Sequence, residues 1–155
     1  MISLSWYPHG VPAPFFCRLP QSFTIPYREL SPGNGARPYL VLVLTGPNGR
    51  SGPVWGIVDS GADDSSLPFS YAILMGYTAS TLRSEPFQQV GGAGAGYRAT
   101  EPCTAHLPEN PAVKVEMHPL FVQGAQTPLW GRQDFMKRYD VTFLEGQQRF
   151  IITTS

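Results

Sequence analysis

The sequence predicts an all-β fold, and three observations support this prediction. Glycine and proline contribute 16 residues each, whereas charged residues make up only 14% of the 155 residues. Short apolar runs recur along the chain between clusters of turn-forming residues. Prolines are frequent among residues 1–38, where they are incompatible with long helices. We therefore expect many short strands joined by turns.

The length and charge of the chain restrict its classes of function. A chain of 155 residues corresponds to about one domain with one proper core. The formal net charge is zero, which predicts no nucleic-acid partner and no membrane partner. We see no signal peptide and no apolar run long enough to span a membrane, so we expect a cytoplasmic protein. Cys17 and Cys103 do not form a disulfide framework, and we expect both to be reduced.

The apolar runs predict the positions of the strands and of two short helices. A helix over 68–75 should end at Gly76, and an amphipathic helix over 132–139 should bury Phe135, Met136 and Tyr139. Asn110 and Pro111 are expected in a turn. Strands are predicted over residues 23–27, 39–44, 54–58, 85–90, 97–100, 103–107, 113–117, 120–122, 141–143 and 149–153.

Residues 1–37 form an arm that is rich in proline and aromatic residues. Because so many aromatic side chains seldom stay solvated, we expect this arm to pack on the remaining domain, residues 38–155. Two alternatives are a proline-rich docking motif and a pro-segment that is removed during maturation.

An apolar strand over 54–58 ends directly at Asp59, which Ser60, Gly61 and Ala62 follow. Valine and isoleucine favour a buried strand, and Asp-Ser-Gly favours a turn. A carboxylate at the end of a rigid strand can be aimed into a cleft. The alternative is a polar turn in which Asp59 binds backbone amides and has no catalytic role.

Residues 57–64, Ile-Val-Asp-Ser-Gly-Ala-Asp-Asp, resemble the active-site loop of the retropepsin-like aspartic proteases. Residues 91–96, Gly-Gly-Ala-Gly-Ala-Gly, are similar to the glycine-rich hairpin, or flap, that lies over bound peptide in that family. Residues 129–132, Leu-Trp-Gly-Arg, are similar to the family's segment before its C-terminal helix. The three features follow one another in the family's order. The resemblance implies a small closed β-barrel with one short C-terminal helix.

The resemblance also implies a reaction and an assembly. Asp59 would act as general acid and base in peptide hydrolysis, with a peptide or protein as substrate and with no metal or other cofactor. Aspartic proteolysis needs two such carboxylates, and the chain contains one Asp-Ser/Thr-Gly sequence. An obligate homodimer would therefore bring together Asp59 from two copies.

The roles of the neighbouring residues follow from the same resemblance. Ser60 would hold the loop against the loop of the second copy, Gly61 would offer its carbonyl group to the peptide, and Ala62 completes the loop. Asp63 and Asp64 would contact the substrate backbone, although both are equally interpreted as solvated turn acids.

The remaining implied roles concern the flap and the segment before the helix. Backbone amides of Gly91, Gly92 and Gly94 would bind peptide, unless this run is an exposed loose loop. Gly131 and Arg132 would support the active-site loop, with Arg132 pairing with Asp63. The alternative for Arg132 is an ordinary surface ion pair. Asp134 either takes the part of the polar residue that follows this arginine in relatives or lies in the first helical turn.

Other chemistries fit the sequence poorly. His9, His106 and His118 lack the spacing of a zinc site. The sequence has no GxSxG elbow, and the glycine run lacks both the GxGxxG spacing and the ending of a phosphate-binding loop. The competing hypothesis is a retropepsin-fold module that binds a peptide or dimerises without cutting, because a fold does not determine a function.

Overall fold

A computed structural model of the chain describes residues 20–89 and 92–154. Most of the predicted arm, residues 1–19, lies outside the described residues, and so does Cys17. The same holds for Val90 and Gly91 in the glycine-rich run.

Twelve strands and one short α-helix make up most of the described residues. Short helical turns of other types occur at Ala79–Thr81, Arg132–Met136 and Glu145–Gln147. The helix is α1 (Ser70–Leu74), and the strands are β1 (Ser22–Pro26), β2 (Tyr39–Thr45), β3 (Ser51–Val58), β4 (Ser66–Pro68), β5 (Leu82–Gln89), β6 (Gly92–Ala99), β7 (Cys103–Leu107), β8 (Asn110–Met117), β9 (Leu120–Val122), β10 (Leu129–Trp130), β11 (Tyr139–Leu144) and β12 (Arg149–Thr154).

The strands form two sheets, which confirms the all-β prediction. Nine strands pair in the order β5-β6-β9-β4-β10-β3-β2-β7-β8, and three pair in the order β1-β12-β11. Strand β2 illustrates the underlying pattern, because Leu40, Leu42 and Leu44 are buried while their neighbours are half-buried. Both sheets contribute to one core, whose largest fully buried side chains are Trp130, Tyr139, Phe121, Phe135 and Phe150.

The two-residue strand β10 positions the predicted active-site loop. It runs parallel to β3 and antiparallel to β4, with Trp130 opposite Val58. The indole Nε1 of Trp130 donates to the carbonyl oxygen of Leu40 at 3.1 Å. Gly56 leaves room for the indole, because a Cβ atom there would lie 2.6 Å from Trp130 Cε2. The ends of β3 and β10 are thereby fixed side by side.

Part of the predicted arm belongs to the three-stranded sheet. Strand β1 pairs with β12 from Ser22 opposite Thr153 to Pro26 opposite Arg149. Strand β12 is central, because β11 pairs with its other edge. The division of the chain at residues 37 and 38 stays a prediction.

The predicted C-terminal helix over 132–139 is confirmed to within one residue, because helical structure extends from Arg132 to Arg138. Helical structure begins at Arg132 as a wide π-type turn, in which the Met136 amide donates to the Gly131 carbonyl at 3.1 Å. Tyr139 already lies in β11, where it pairs with Thr154. Strand pairing therefore ends the helix before residue 139. The predicted burial holds for Phe135 and Tyr139, whose side chains lie in the core.

Several other predicted boundaries differ from the structure, among them that of β6, which begins at Gly92 and not at residue 97. Asn110 and Pro111 belong to β8 and not to a turn, because Asn110 pairs with Leu107 of β7. The amide group of Asn110 also donates to Gln21 Oε1 at 2.8 Å. The first helix begins at Ser70 because Pro68 still pairs with Val122 in β4. It is followed by Gly76 at φ +84°, as predicted. No helix in the described ranges is long and apolar enough to cross a membrane.

Candidate active site

Asp59 lies at the end of β3 in a tight turn. Its amide donates to the Trp130 carbonyl at 3.1 Å, and the Ala62 amide donates to the Asp59 carbonyl at 3.2 Å. Its side chain is half-buried, while Ser60 and Gly61 are exposed. The Gly61 amide donates to Asp59 Oδ1 at 2.8 Å, and no hydrogen bond within residues 20–89 and 92–154 reaches Oδ2. One carboxylate oxygen thus orients the side chain and the other is available.

The turn is anchored along its length by the segment that follows β10. The Arg132 amide donates to the Ala62 carbonyl at 3.0 Å, and the Gln133 amide donates to the Asp63 carbonyl at 2.7 Å. Together with the bond from Asp59 to Trp130, these contacts form a short backbone ladder. The carboxylate is therefore carried by a turn that the rest of the sheet holds in place.

Behind the turn lies a fully buried hydroxyl group, that of Ser65. Its Oγ accepts a hydrogen bond from the Gly131 amide at 3.0 Å and donates to Asp134 Oδ1 at 2.5 Å. Gly131 packs so closely that an added Cβ atom would overlap the Asp64 carbonyl group. The supporting role implied for Gly131 thus has a steric basis.

Asp134 connects the predicted active-site loop with the C-terminal helical turn. Besides the Ser65 hydroxyl, its Oδ1 accepts the Phe135 amide at 2.6 Å. Burial raises the pKa of the Asp134 carboxyl group, and the hydrogen bonds from Ser65 and Phe135 oppose that shift. Asp134 thus lies in the first helical turn and also binds the loop.

Asp63 and Asp64 have different partners. Arg132 donates through Nη2 to Asp63 Oδ1, which is the pair that the resemblance implies. Both side chains are more than half exposed, at 56% and 67%, so this ion pair is surrounded by solvent. Asp64 instead binds Arg98, whose side chain is only 17% exposed.

Arg98 lies on β6 between two carboxylates. Its Nη2 donates to Asp64 Oδ2 at 2.8 Å and to Glu85 Oε1 at 2.9 Å, and its Nη1 donates to the His118 carbonyl at 3.2 Å. The hydrogen bond from Arg98 is the main cause that lowers the pKa of Glu85. Burial opposes the charged form of Arg98, but its hydrogen bonds to Glu85 and Asp64 outweigh this, and the pKa of Arg98 is raised.

Strands β5 and β6 form the glycine-rich hairpin. Gly92 pairs with Gln89 at the described end of the hairpin, and Gly94 pairs with Phe87. The Phe87 ring covers Gly94, because a Cβ atom there would lie 2.6 Å from Phe87 Cε1. Nearer the base, the rings of Tyr97 and Phe69 pack with centroids 5.0 Å apart. The hairpin base thus contacts the segment after β4.

The two described histidines bind backbone carbonyl groups. His106 Nδ1 lies 3.0 Å from the Leu107 oxygen, and His118 Nδ1 lies 3.1 Å from the Ala99 oxygen. In the part of the chain that the structure describes, no three acidic, histidine or cysteine side chains form a group that could hold a metal ion.

Comparisons with known proteins give matches among solved structures. No protein-family profile matches the chain, and no curated protein sequence matches it. A retropepsin-like aspartic protease from Rickettsia conorii superposes with a TM-score of 0.60 at 13% identity, over 87% of this chain and 92% of that one. This chain has a retropepsin-like fold. EIAV protease in complex with the inhibitor HBY-793 also matches, with a TM-score of 0.48 at 18% identity over 66% of this chain and 88% of that one.

The retropepsin-like fold gathers most of the predicted site residues around one loop. Asp59 to Ala62 form the turn, and Gly131 and Arg132 lie directly beneath it. Gly92 and Gly94 lie on the hairpin strand β6, whereas Gly91 lies outside the described residues. Which of these residues contact a substrate stays a prediction.

Three residues around the Asp59 loop were not predicted from the sequence, namely Ser65, Glu85 and Arg98. The contact between Arg98 and Asp64 joins residues 34 positions apart, so no local pattern encodes it. The available signal was the group of charged residues at the base of the glycine-rich hairpin, with Arg83 and Glu85 on one arm and Arg98 on the other. Ser65 gave no signal, because a serine after a turn is ordinarily solvated.

Proposed function

We propose that the protein is an aspartic endopeptidase whose catalytic centre consists of Asp59 from each of two copies of the chain. The observation that carries the proposal is the geometry of Asp59. Its Oδ1 is fixed by the Gly61 amide, and its Oδ2 has no hydrogen-bond partner among the described residues. The retropepsin-like fold supports this assignment.

The chemistry follows from a pair of neighbouring carboxylates. Two like charges about 3 Å apart cannot both ionise, so the pair shares one proton. The ionised carboxylate takes a proton from a water molecule as that water attacks the peptide carbonyl carbon. The protonated carboxyl group donates its proton to the carbonyl oxygen. The first carboxyl group then donates its proton to the nitrogen, and the second carboxylate takes a proton from a hydroxyl group of the intermediate. The C–N bond breaks, an acid and an amine are released, and the pair again shares one proton.

The dimer supplies the second catalytic carboxylate, which a single chain lacks. A two-fold axis makes each residue near it meet its own copy, so the exposed turn at Ser60 and Gly61 would face the same turn of the second copy. An extended peptide would then lie between the two turns and the β5–β6 hairpins. The substrate class is therefore a peptide or an unfolded protein segment.

The alternative function is a module that binds a peptide, or dimerises, without cutting. The hydrogen bond from the Gly61 amide to Asp59 Oδ1 favours it, because a carboxylate that merely stabilises its own turn makes the same contact.

The substitution Asp59→Asn tests the proposal, because asparagine keeps the oxygen that accepts the Gly61 amide but cannot ionise. We expect the wild-type protein to digest a denatured protein at about pH 4–6, with inhibition by a pepstatin-like compound, and the variant to be inactive. The exposed Asp140→Asn is the matched control and should retain activity. Absence of cleavage by the wild-type protein, or full activity of Asp59→Asn, would refute the endopeptidase.

A mixing experiment tests the shared centre. When equal amounts of wild-type and Asp59→Asn chains exchange subunits, about one quarter of the dimers carry two intact carboxylates. The activity per total chain should therefore fall to about one quarter of the wild-type value, whereas independent monomers would retain about one half. Sedimentation of the wild-type protein as a strict monomer at high concentration would also contradict the dimer.

A further inference from the structure

Arg98 connects the base of the β5–β6 hairpin with the active-site loop. It lies on β6, close to Glu85 on β5, and its guanidinium group reaches the Asp64 carboxylate and the His118 carbonyl. Its Nε also lies 3.5 Å from Glu85 Oε2. All three guanidinium nitrogens thus face an acceptor. Because the guanidinium group is planar and rigid, these contacts fix the orientation of Arg98 relative to its partners as well as the distances between them.

Asp64 is in turn connected to the residues that hold the catalytic turn in place. Asp64 is followed by the fully buried Ser65, whose hydroxyl binds the Gly131 amide and the Asp134 carboxylate. The carbonyl group of Asp64 also packs against Gly131. A displacement of the Asp64 backbone would therefore disturb the ladder that holds the Asp59 turn.

The ion pair between Arg98 and Asp64 is more buried than the neighbouring ion pair between Arg132 and Asp63. Arg98 is 17% exposed and Asp64 is 38% exposed, whereas the pair of Arg132 with Asp63 is exposed at 56% and 67%. Coulomb attraction is screened less in a partly buried pair than in an exposed one. Arg98 also balances two carboxylates, so removing its charge would leave Asp64 and Glu85 facing each other.

We propose that Arg98 is a positioning residue that holds the β5–β6 hairpin in a fixed orientation against the Asp59 turn through Asp64 and Glu85. This inference rests on the proposed function and deepens it. A hairpin held in advance need not be ordered when an extended peptide binds, so the conformational entropy lost on binding is smaller. The benefit is the same for the bound substrate and for the transition state, so Arg98 should affect KM and leave kcat nearly unchanged.

The test compares Arg98→Met with Arg98→Lys and Glu85→Gln. Arg98→Lys keeps the positive charge and loses the planar guanidinium group with its several donors. This variant replaces Arg98→Met in the test if Arg98→Met does not fold. Arg83→Met is the matched control, since Arg83 pairs with Arg98 across the hairpin, is 71% exposed and reaches only Glu85, at 3.3 Å.

Two measurements are made on each variant. Amide hydrogen exchange in β5 and β6 of the peptide-free protein should be faster in the Arg98 and Glu85 variants and unchanged in Arg83→Met. For peptide hydrolysis, KM should rise roughly tenfold in Arg98→Met, a typical coupling between two sites, with kcat within about twofold. Adding Glu85→Gln to Arg98→Met should raise KM little further, because both substitutions break the same connection between the hairpin and the loop.

The outcomes separate this inference from the proposed function. Unchanged hairpin exchange in the Arg98 variants, or an unchanged KM in an active variant, overturns the positioning role. A loss of kcat with an unchanged KM also overturns it, because Arg98 would then act on the chemical step. If the wild-type protein cleaves no peptide, the endopeptidase fails, and the exchange data alone decide whether Arg98 holds the hairpin.

Discussion

The hydroxyl group of Ser65 donates to the carboxylate of Asp134 at 2.5 Å, across 69 residues of sequence. The same hydroxyl oxygen accepts the Gly131 amide at 3.0 Å. Because Ser65 is fully buried, its hydroxyl group cannot exchange this contact for one with water. The pair therefore joins the loop that carries Asp59 to the C-terminal helical turn, and it is the natural first target for substitution.

Ser65→Ala should destabilise the fold. It leaves the Gly131 amide and the Asp134 carboxylate without their buried partner, and such a loss costs about 1–3 kcal/mol. Urea denaturation should show that loss in the free energy of unfolding. Ser84→Ala is the control, because Ser84 is exposed and its substitution should change stability by less than about 0.5 kcal/mol. Equal stabilities of the two variants would contradict the role of Ser65.

Gly131→Ala should be more harmful than its small change in volume suggests. The added methyl group would overlap the Asp64 carbonyl group, which is backbone and cannot rotate away. Overpacking of this kind costs about 1–3 kcal/mol and would also displace the Asp59 turn. Gly146→Ala is the control, because a methyl group there meets no atom within 4 Å. The melting temperatures of both variants test the comparison, and a Gly131→Ala protein as stable as the control would refute it.

The Asp134 carboxyl group should make stability depend on pH. Burial raises its pKa in the folded protein, so the folded state favours the protonated form. That contribution is fully present below the unfolded pKa and is lost as pH rises through the raised pKa. Asp134→Asn cannot titrate, so relative to the wild-type protein it should be more stable at about pH 7 than at about pH 4.

Urea denaturation at the two pH values measures this difference. The exposed Asp140→Asn is the matched control and should differ from the wild-type protein by a nearly constant amount at both pH values. A stability difference between Asp134→Asn and the wild-type protein that does not change with pH would contradict the assigned burial effect.

Arg132→Gln should have little effect on stability. The ion pair of Arg132 with Asp63 is exposed to solvent, and such pairs contribute about 0–1 kcal/mol. The backbone amide that binds the Ala62 carbonyl remains in the variant. A double-mutant cycle with Asp63→Asn should therefore give a coupling below about 1 kcal/mol. A coupling above about 2 kcal/mol would show that this pair supports the loop more strongly than its exposure implies.

The parts of the fold that the sequence predicted well depend on consecutive residues. The alternation of buried and less buried positions in 39–45 follows the two-residue period of a strand, and the strands 103–107 and 120–122 were predicted at their observed bounds. The C-terminal helix was predicted one residue too long, because Tyr139 pairs with Thr154 in β11. Helix propensity is a weak preference that a sheet hydrogen bond readily exceeds.

The sequence by itself determined the all-β class and the turn at Asp59, because strand period and turn chemistry are local properties. Only the tertiary structure decided which charges meet. Asp64 and Arg98 are separated by 34 residues of sequence, and Ser65 and Asp134 by 69. The insertion of β10 between β3 and β4 and the pairing of β6 with β9 bring these residues together in space. Hydrogen bonds and ion pairs act over a few ångströms of space, whatever the separation along the chain.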